Sequence, residues 1–232
     1  MRQIVPVLTA TATLLAPAVA HGAAKHAERA PTCPPPHAHV VLADKAAVLF
    51  QLETFNRRLD EQEHEEAACS HANRNPFVLW SCDDLECEGP SFNDLTLAGN
   101  MLAYERYETS GSEKYQTAEP ASWTVQVRNL ATHRLIHSSP ASTSEPPPST
   151  VIGNGPAEGV VVKSDGSVAW IAVDGWHPYA LSPVTTYQVW KIDRTGRHLL
   201  AMGPHIVPGS IALAGNTVYW TNDGTPEMAT LN

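Results

Sequence analysis

One short pattern recurs along the chain and limits what it can become. Leu97-Ala98-Gly99-Asn100-Met101-Leu102-Ala103-Tyr104 is matched by Leu213-Ala214-Gly215-Asn216-Thr217-Val218-Tyr219-Trp220, and between them stands Val160-Val161-Val162-Lys163-Ser164-Asp165-Gly166-Ser167-Val168-Ala169-Trp170. Each copy is an apolar run, a two-residue turn and a second apolar run ending in an aromatic. The dipeptides Gly99-Asn100, Asp165-Gly166 and Gly215-Asn216 tolerate the positive φ that tight antiparallel hairpins need. A weaker copy runs from Val40 through Asp44-Lys45 to Phe50. A series of such hairpins predicts an all-β chain.

A second hairpin follows each of the first three copies. Trp123-Thr124-Val125-Gln126-Val127 alternates at strand period, turns at Ala131-Thr132-His133 and returns through Leu135-Ile136. Tyr187-Gln188-Val189-Trp190-Lys191-Ile192 turns at Arg194-Thr195-Gly196 and returns through Leu199-Leu200-Ala201. In the first copy, Ala67-Ala68-Cys69 and Phe77-Val78-Leu79-Trp80 flank an Asn-rich turn at Asn73 to Asn75. Each module is therefore read as a meander of four short strands, over residues 38–81, 94–138 and 158–203. A fourth, 209–232, stops after its first hairpin and a last short strand near Met228-Ala229-Thr230. Antiparallel four-stranded modules at this spacing are what a β-propeller is made from.

At these residues the chain resembles secreted bacterial proteins with TolB-like or Trp-Asp-repeat-like blades. The likeness spans about residues 38–232 and implies an architecture, a small or partial β-propeller; it brings no functional residue with it. Closed propellers typically have about 4–8 blades, so either an N-terminal arm completes the last blade or the stack stays open. An irregular β-sandwich is the alternative fold. Phe55 to Glu66 is rich in helix formers but has almost no apolar face, and is read as a long exposed loop. Ser138 to Thr150, with Pro146-Pro147-Pro148, is an irregular connector too short to divide domains, so residues 38–232 are expected to form one domain.

The start of the chain carries a different signal. Met1-Arg2-Gln3 precedes an apolar run from Ile4 to Ala20 that closes on Ala18-Val19-Ala20, a small-x-small pattern expected to be cut before His21. The run is shorter than a membrane span and holds Pro6 and Pro17. Residues 1–20 are thus expected to be a signal peptide, 21–37 a mostly disordered arm, and the protein secreted or exposed at the cell-envelope exterior. An oxidising compartment turns Cys33, Cys69, Cys82 and Cys87 into disulfide candidates. Cys82–Cys87 would close a small loop, leaving Cys33–Cys69 to staple the arm. The full chain carries 24 acidic against 15 basic residues and a formal net charge of −9. Without a basic run, nucleic acid and anionic membranes are poor partners.

Signatures of catalysis are missing. There is no Gly-x-Ser-x-Gly elbow, phosphate-binding loop or EF-hand spacing. His64-Glu65-Glu66-Ala67-Ala68 begins like a zinc-protease helix, but Ala68 stands where the second histidine belongs. Gly153-Asn154-Gly155 with Gly159 has the wrong spacing for a dinucleotide loop. His37, His39 and His71 could meet around a Cys33–Cys69 bridge as a zinc or copper site, though solvated imidazoles are the plainer expectation. Asp83, Asp84, Glu86 and Glu88 read as a solvated acidic loop before a calcium site. A mature start at His21-Gly22 resembles that of lytic polysaccharide mono-oxygenases, which would imply copper held by the terminal amine and imidazole; no matching aromatic setting surrounds His71, His133 or His137.

Loop lengths locate a functional face. The first and third turns of each module are tight, whereas the second ones, Glu53–Glu65, Glu108–Pro120 and Asp174–Pro183, are long. In a meander the second turns and the inter-module connectors share one edge, and binding residues gather on loops above a rigid scaffold. Arg106, Tyr107, Asp174, Trp176, His177 and Tyr179 are the candidates there. The expectation is an exported, non-catalytic binding or scaffold protein that engages a glycan or protein ligand and needs no cofactor. The alternatives are a propeller-type hydrolase or lyase using Asp174, His177 and Arg106 as acid–base groups, and self-assembly through the unfinished last module.

Overall fold

The computed structural model describes residues 32–56, 60–83, 95–109, 121–143, 155–174 and 185–232. Residues 1–31, which include the expected signal peptide, and the 57–59, 84–94, 110–120, 144–154 and 175–184 segments lie outside the described residues, as do Trp176, His177, Tyr179 and Cys87. The described residues are all-β and antiparallel, in four separate sheets rather than the two of a sandwich. The first sheet is the meander β1 (His39–Ala43), β2 (Ala47–Asn56), β3 (Glu61–Ser70) and β4 (Phe77–Asp83). The second is β5 (Thr96–Ala98), β6 (Met101–Thr109), β7 (Ala121–Asn129) and β8 (Arg134–Pro140). The third is β9 (Ala157–Val162), β10 (Val168–Asp174), β11 (Thr186–Asp193) and β12 (Gly196–Gly203). The fourth has three strands, β13 (Ala212–Ala214), β14 (Thr217–Asn222) and β15 (Thr225–Thr230).

The hairpin turns fall where the repeated dipeptides stand, with Gly99 at φ 60° and Gly215 at φ 59°. Alternation then gives each strand two apolar faces or one, according to its place in the series. Between the first two sheets lie Leu49 and Ala68 against Leu102, Tyr104 and Leu130. Between the second and third lie Trp123, Val125 and Val127 against Val160, Trp170 and Trp190. Between the third and fourth lie Ile171 and Val189 against Val218 and Trp220. Consecutive sheets therefore pack face to face, in chain order. The third, covered on both sides, explains why Val168–Val173 is buried at every position. Burying one such side chain contributes about 1.5–3 kcal/mol, so the three gaps dominate stability.

Polar contacts lock the edges of the stack in register. Gly99 donates its N–H to Asp44 Oδ2 at 2.8 Å, joining the first turns of sheets one and two. A Cβ on Gly99 would lie 3.3 Å from that of Ser164, in the first turn of sheet three, so three first turns lie along one edge. The third turns join as well: Asn73 donates to the Ala131 carbonyl at 3.2 Å, and the Arg128 guanidinium lies 4.2 Å above the Phe77 ring.

Cys33 and Cys69 form the expected disulfide. It draws residues 33–38 over the outer face of the first sheet, where Val48, Phe50, Ala67 and Cys69 are buried against Cys33 and Ala38. The outer face of the fourth sheet has a different character. Its register places Ala212, Tyr219 and Met228 on one rung, facing away from the third sheet, and Met228 is 70% exposed. On the free edge of β15, the Leu231 N–H to Asn216 carbonyl bond sets the phase. Positions 226, 228 and 230 consequently point their backbone outward, and Pro226 removes one of these donors, a usual way to blunt a sheet edge.

One expectation fails. Phe55–Glu66 is not a long loop: β2 runs to Asn56 and pairs in unbroken register with β3 from Glu61. Only four residues separate the ends of β2 and β3. Ten consecutive ladder partners outweigh the weak strand propensity of Glu61-Gln62-Glu63-His64-Glu65-Glu66.

Candidate functional site

The extension of β2 and β3 creates the site. Beyond the apolar rungs that fill the first gap, the same face continues with polar residues. Gln51 pairs with Glu66 and Glu66 with Trp80, so amide, carboxylate and indole stand abreast on β2, β3 and β4. The next rung toward the turn pairs Glu53 with His64, whose Nδ1 lies 3.8 Å from Glu53 Oε1. A β-bulge in β4 beside Glu66 and Ala67 re-aims the strand and brings Trp80 into this row. These side chains line a groove of about 290 Å³, whose rim also includes Leu52 and Glu65, which pair with each other and turn their side chains to the opposite face. Neighbouring strands lie about 4.8 Å apart, so the Glu66 and Trp80 side chains rise from adjacent positions on one face.

The groove is acidic and partly sheltered. Burial pushes the Glu66 carboxyl above the usual carboxylate range; burial, and then the Glu63 charge, does the same to Glu65. A half-desolvated carboxylate interacts more strongly with an incoming positive charge than one in open water.

Strand alternation sorts the residues expected from loop positions. Arg106 and Tyr107 lie near the end of β6 and Asp174 at the end of β10, all on the second-turn edge that carries the groove. Tyr107 turns into the gap between sheets two and three, 4.8 Å from Trp123 between ring centroids. Asp174 shares the face of Trp170 and Ala172, which fill that same gap. Arg106 has the parity of Leu102 and Tyr104 and turns toward the first sheet, outside the groove lining. The second sheet thus stands between Arg106 and Asp174, which do not converge on one acid–base site.

The histidine cluster does not form. The disulfide closes, but His39 pairs with Gln51 while His71 lies beyond the Ala47–Ser70 rung at the opposite end of the ladder. Five residues of strand separate them by about 16 Å, and His37 is exposed. Among the described residues no group of three or more His, Cys, Asp or Glu is placed to hold a metal ion.

No protein-family model matches the chain, and no curated protein matches it. Among solved structures, a mutant of Synechocystis apocarotenoid oxygenase aligns with 84% of this chain and 49% of its own, at 7% identity and a TM-score of 0.36. An acylaminoacyl peptidase of Pyrococcus horikoshii aligns with 81% of this chain and 36% of its own, at 9% identity and a TM-score of 0.33. The chain spans about half of the first protein's length and less of the second's.

Proposed function

We propose that the chain is an exported, non-catalytic binding protein, built as a partial β-propeller, that takes a glycan ligand on its second-turn edge. The observation that carries this reading is the row Gln51, Glu66 and Trp80 at the mouth of a groove. An aromatic platform, an amide able to donate and accept, and carboxylate acceptors are the groups that a polyhydroxylated ring engages. The groove's size is at the low end of small-molecule sites, about 300–1,000 Å³. Export is supported by the N-terminal leader pattern and by the Cys33–Cys69 bridge. The separation of Arg106 from Asp174 weighs against the hydrolase or lyase alternative.

Screening the full chain against immobilised glycans, alongside Trp80→Ala, tests the reading. Capture by the native protein and loss in the variant is the expected result. Capture that survives Trp80→Ala but is lost in Trp176→Ala or Tyr179→Ala would move the site to the third module. No capture of any glycan would refute the proposal.

A further inference from the structure

We infer that the groove on the first sheet selects a glycan carrying free amines, an oligomer of an amino sugar such as glucosamine. This rests on the glycan reading above and names the class of sugar. Glu53 and Glu66 share the groove face with Trp80, Gln51 and His64, and among the described residues no lysine or arginine lines it. Arg106 is turned toward the first sheet but does not line the cavity. The fixed charge within the groove is therefore negative, and its complement is a cation.

Geometry narrows the cation. Cross-strand pairing sets Trp80 and Glu66 side by side on adjacent strands, whose backbones lie about 4.8 Å apart. A pyranose lying with its C–H face on the indole would hold a nitrogen attached directly to the ring against the neighbouring carboxylate, while Gln51, one strand further, meets a hydroxyl. A lysine or arginine side chain carries its charge at the end of a flexible stem and would place the charge itself over the indole. It would leave Gln51 and the second carboxylate unused. A groove of about 290 Å³ also accommodates a ring or two rather than a folded surface.

Calorimetric titration of the full chain with glucosamine oligomers, fully N-acetylated oligomers, neutral glucose oligomers and a lysine-rich peptide tests the inference. The free-amine oligomer is expected to bind at least 10-fold more tightly than its acetylated counterpart. Glu53→Gln with Glu66→Gln should erase that preference, and Trp80→Ala should abolish binding; thermal melts confirm that each variant is folded. Equal affinity for free and acetylated oligomers would overturn the inference, as would binding of the peptide alone. Binding only of a neutral glycan, lost in Trp80→Ala, would refute the amine specificity and leave the glycan site standing. Absence of any saccharide binding would remove both.

Discussion

Lys191 Nζ lies 2.7 Å from Asp193 Oδ2 on the face of the third sheet that meets the fourth, and the pair holds the end of the described chain. Lys191 also donates to the Thr230 carbonyl at 2.9 Å, and Asp193 accepts the Asn232 N–H at 3.0 Å. Lys163 donates to the Leu231 carbonyl at 3.0 Å. Burial alone would raise the Asp193 carboxyl, but hydrogen bonds from Lys191, Thr195 and Asn232 outweigh it and hold it far below the usual carboxylate range.

Asp193→Ala removes the carboxylate partner of the buried Lys191 ammonium, which keeps the Thr230 carbonyl, and is expected to cost about 3 kcal/mol. Differential scanning calorimetry should record a melting temperature lower by about 6–12 °C. The native pair also sets an acid limit. The folded-state pKa lies below the unfolded one, so the contribution is complete above about pH 4 and is lost as pH falls below it. In Asp193→Asn that part of the acid dependence should disappear, with the Tm-against-pH curve flattening below about pH 4.

Glu66 runs the opposite way. Its carboxyl is raised by burial, so the folded state favours the protonated form, and ionisation at neutral pH costs stability. Glu66→Gln should melt higher than the native protein at pH 7, and the difference should vanish as pH drops through the carboxylate range. Thermal melts from pH 3.5 to 7.5 check both signs. A higher melting temperature with weaker amine-sugar binding would show a residue whose ligand role outweighs its cost to the fold.

Reducing the Cys33–Cys69 bridge releases a constraint across a sequence separation of 36 residues. The chain-entropy relation puts its contribution at about 4 kcal/mol, equivalent to a Tm fall of about 8–16 °C. Because residues 33–38 cover Val48 and Phe50, reduction should also increase binding of a hydrophobic dye at temperatures where the sheets remain folded. Dye fluorescence and far-UV circular dichroism, recorded with and without reductant, report the two effects separately.

Pro226→Thr restores an outward N–H on the free edge of β15. The variant should associate at concentrations where the native chain does not gain mass, as measured by light scattering. Unchanged scattering across a hundredfold concentration range would show that the edge is protected by something other than proline.

The fold was legible in sequence where local and tertiary preferences agree. Gly99, Asp165-Gly166 and Gly215 demand turns, and the apolar runs beside them are buried by the next sheet, so repeats and strands coincide. The bridge between Cys33 and Cys69 was readable as the pair left over once Cys82 and Cys87, close in sequence, were expected to close a small loop. The site was legible only as an edge. Glu61-Gln62-Glu63-His64-Glu65-Glu66 has no apolar alternation, so its strand exists only through pairing with β2. The clue available was the polar–apolar–polar run Gln51-Leu52-Glu53, followed by the strand formers Thr54 and Phe55, which extends β2 past its buried rungs and calls for a partner. Trp80 counted as an ordinary strand aromatic because a bulge, invisible in composition, decides that it joins Glu66.

Face-to-face packing in chain order has a consequence for biogenesis. Each gap is sealed by side chains from two sheets adjacent in sequence, and each meander pairs strands close in sequence. A chain emerging amino end first from a ribosome or a translocation pore can close the first gap while the fourth sheet is still threaded, and then the second and third in turn. No interior strand waits for a distant partner. Thr230, at the end of the last strand, and Asn232 beyond it fasten back onto Lys191 and Asp193 of the third sheet, so the fourth sheet locks onto the one before it.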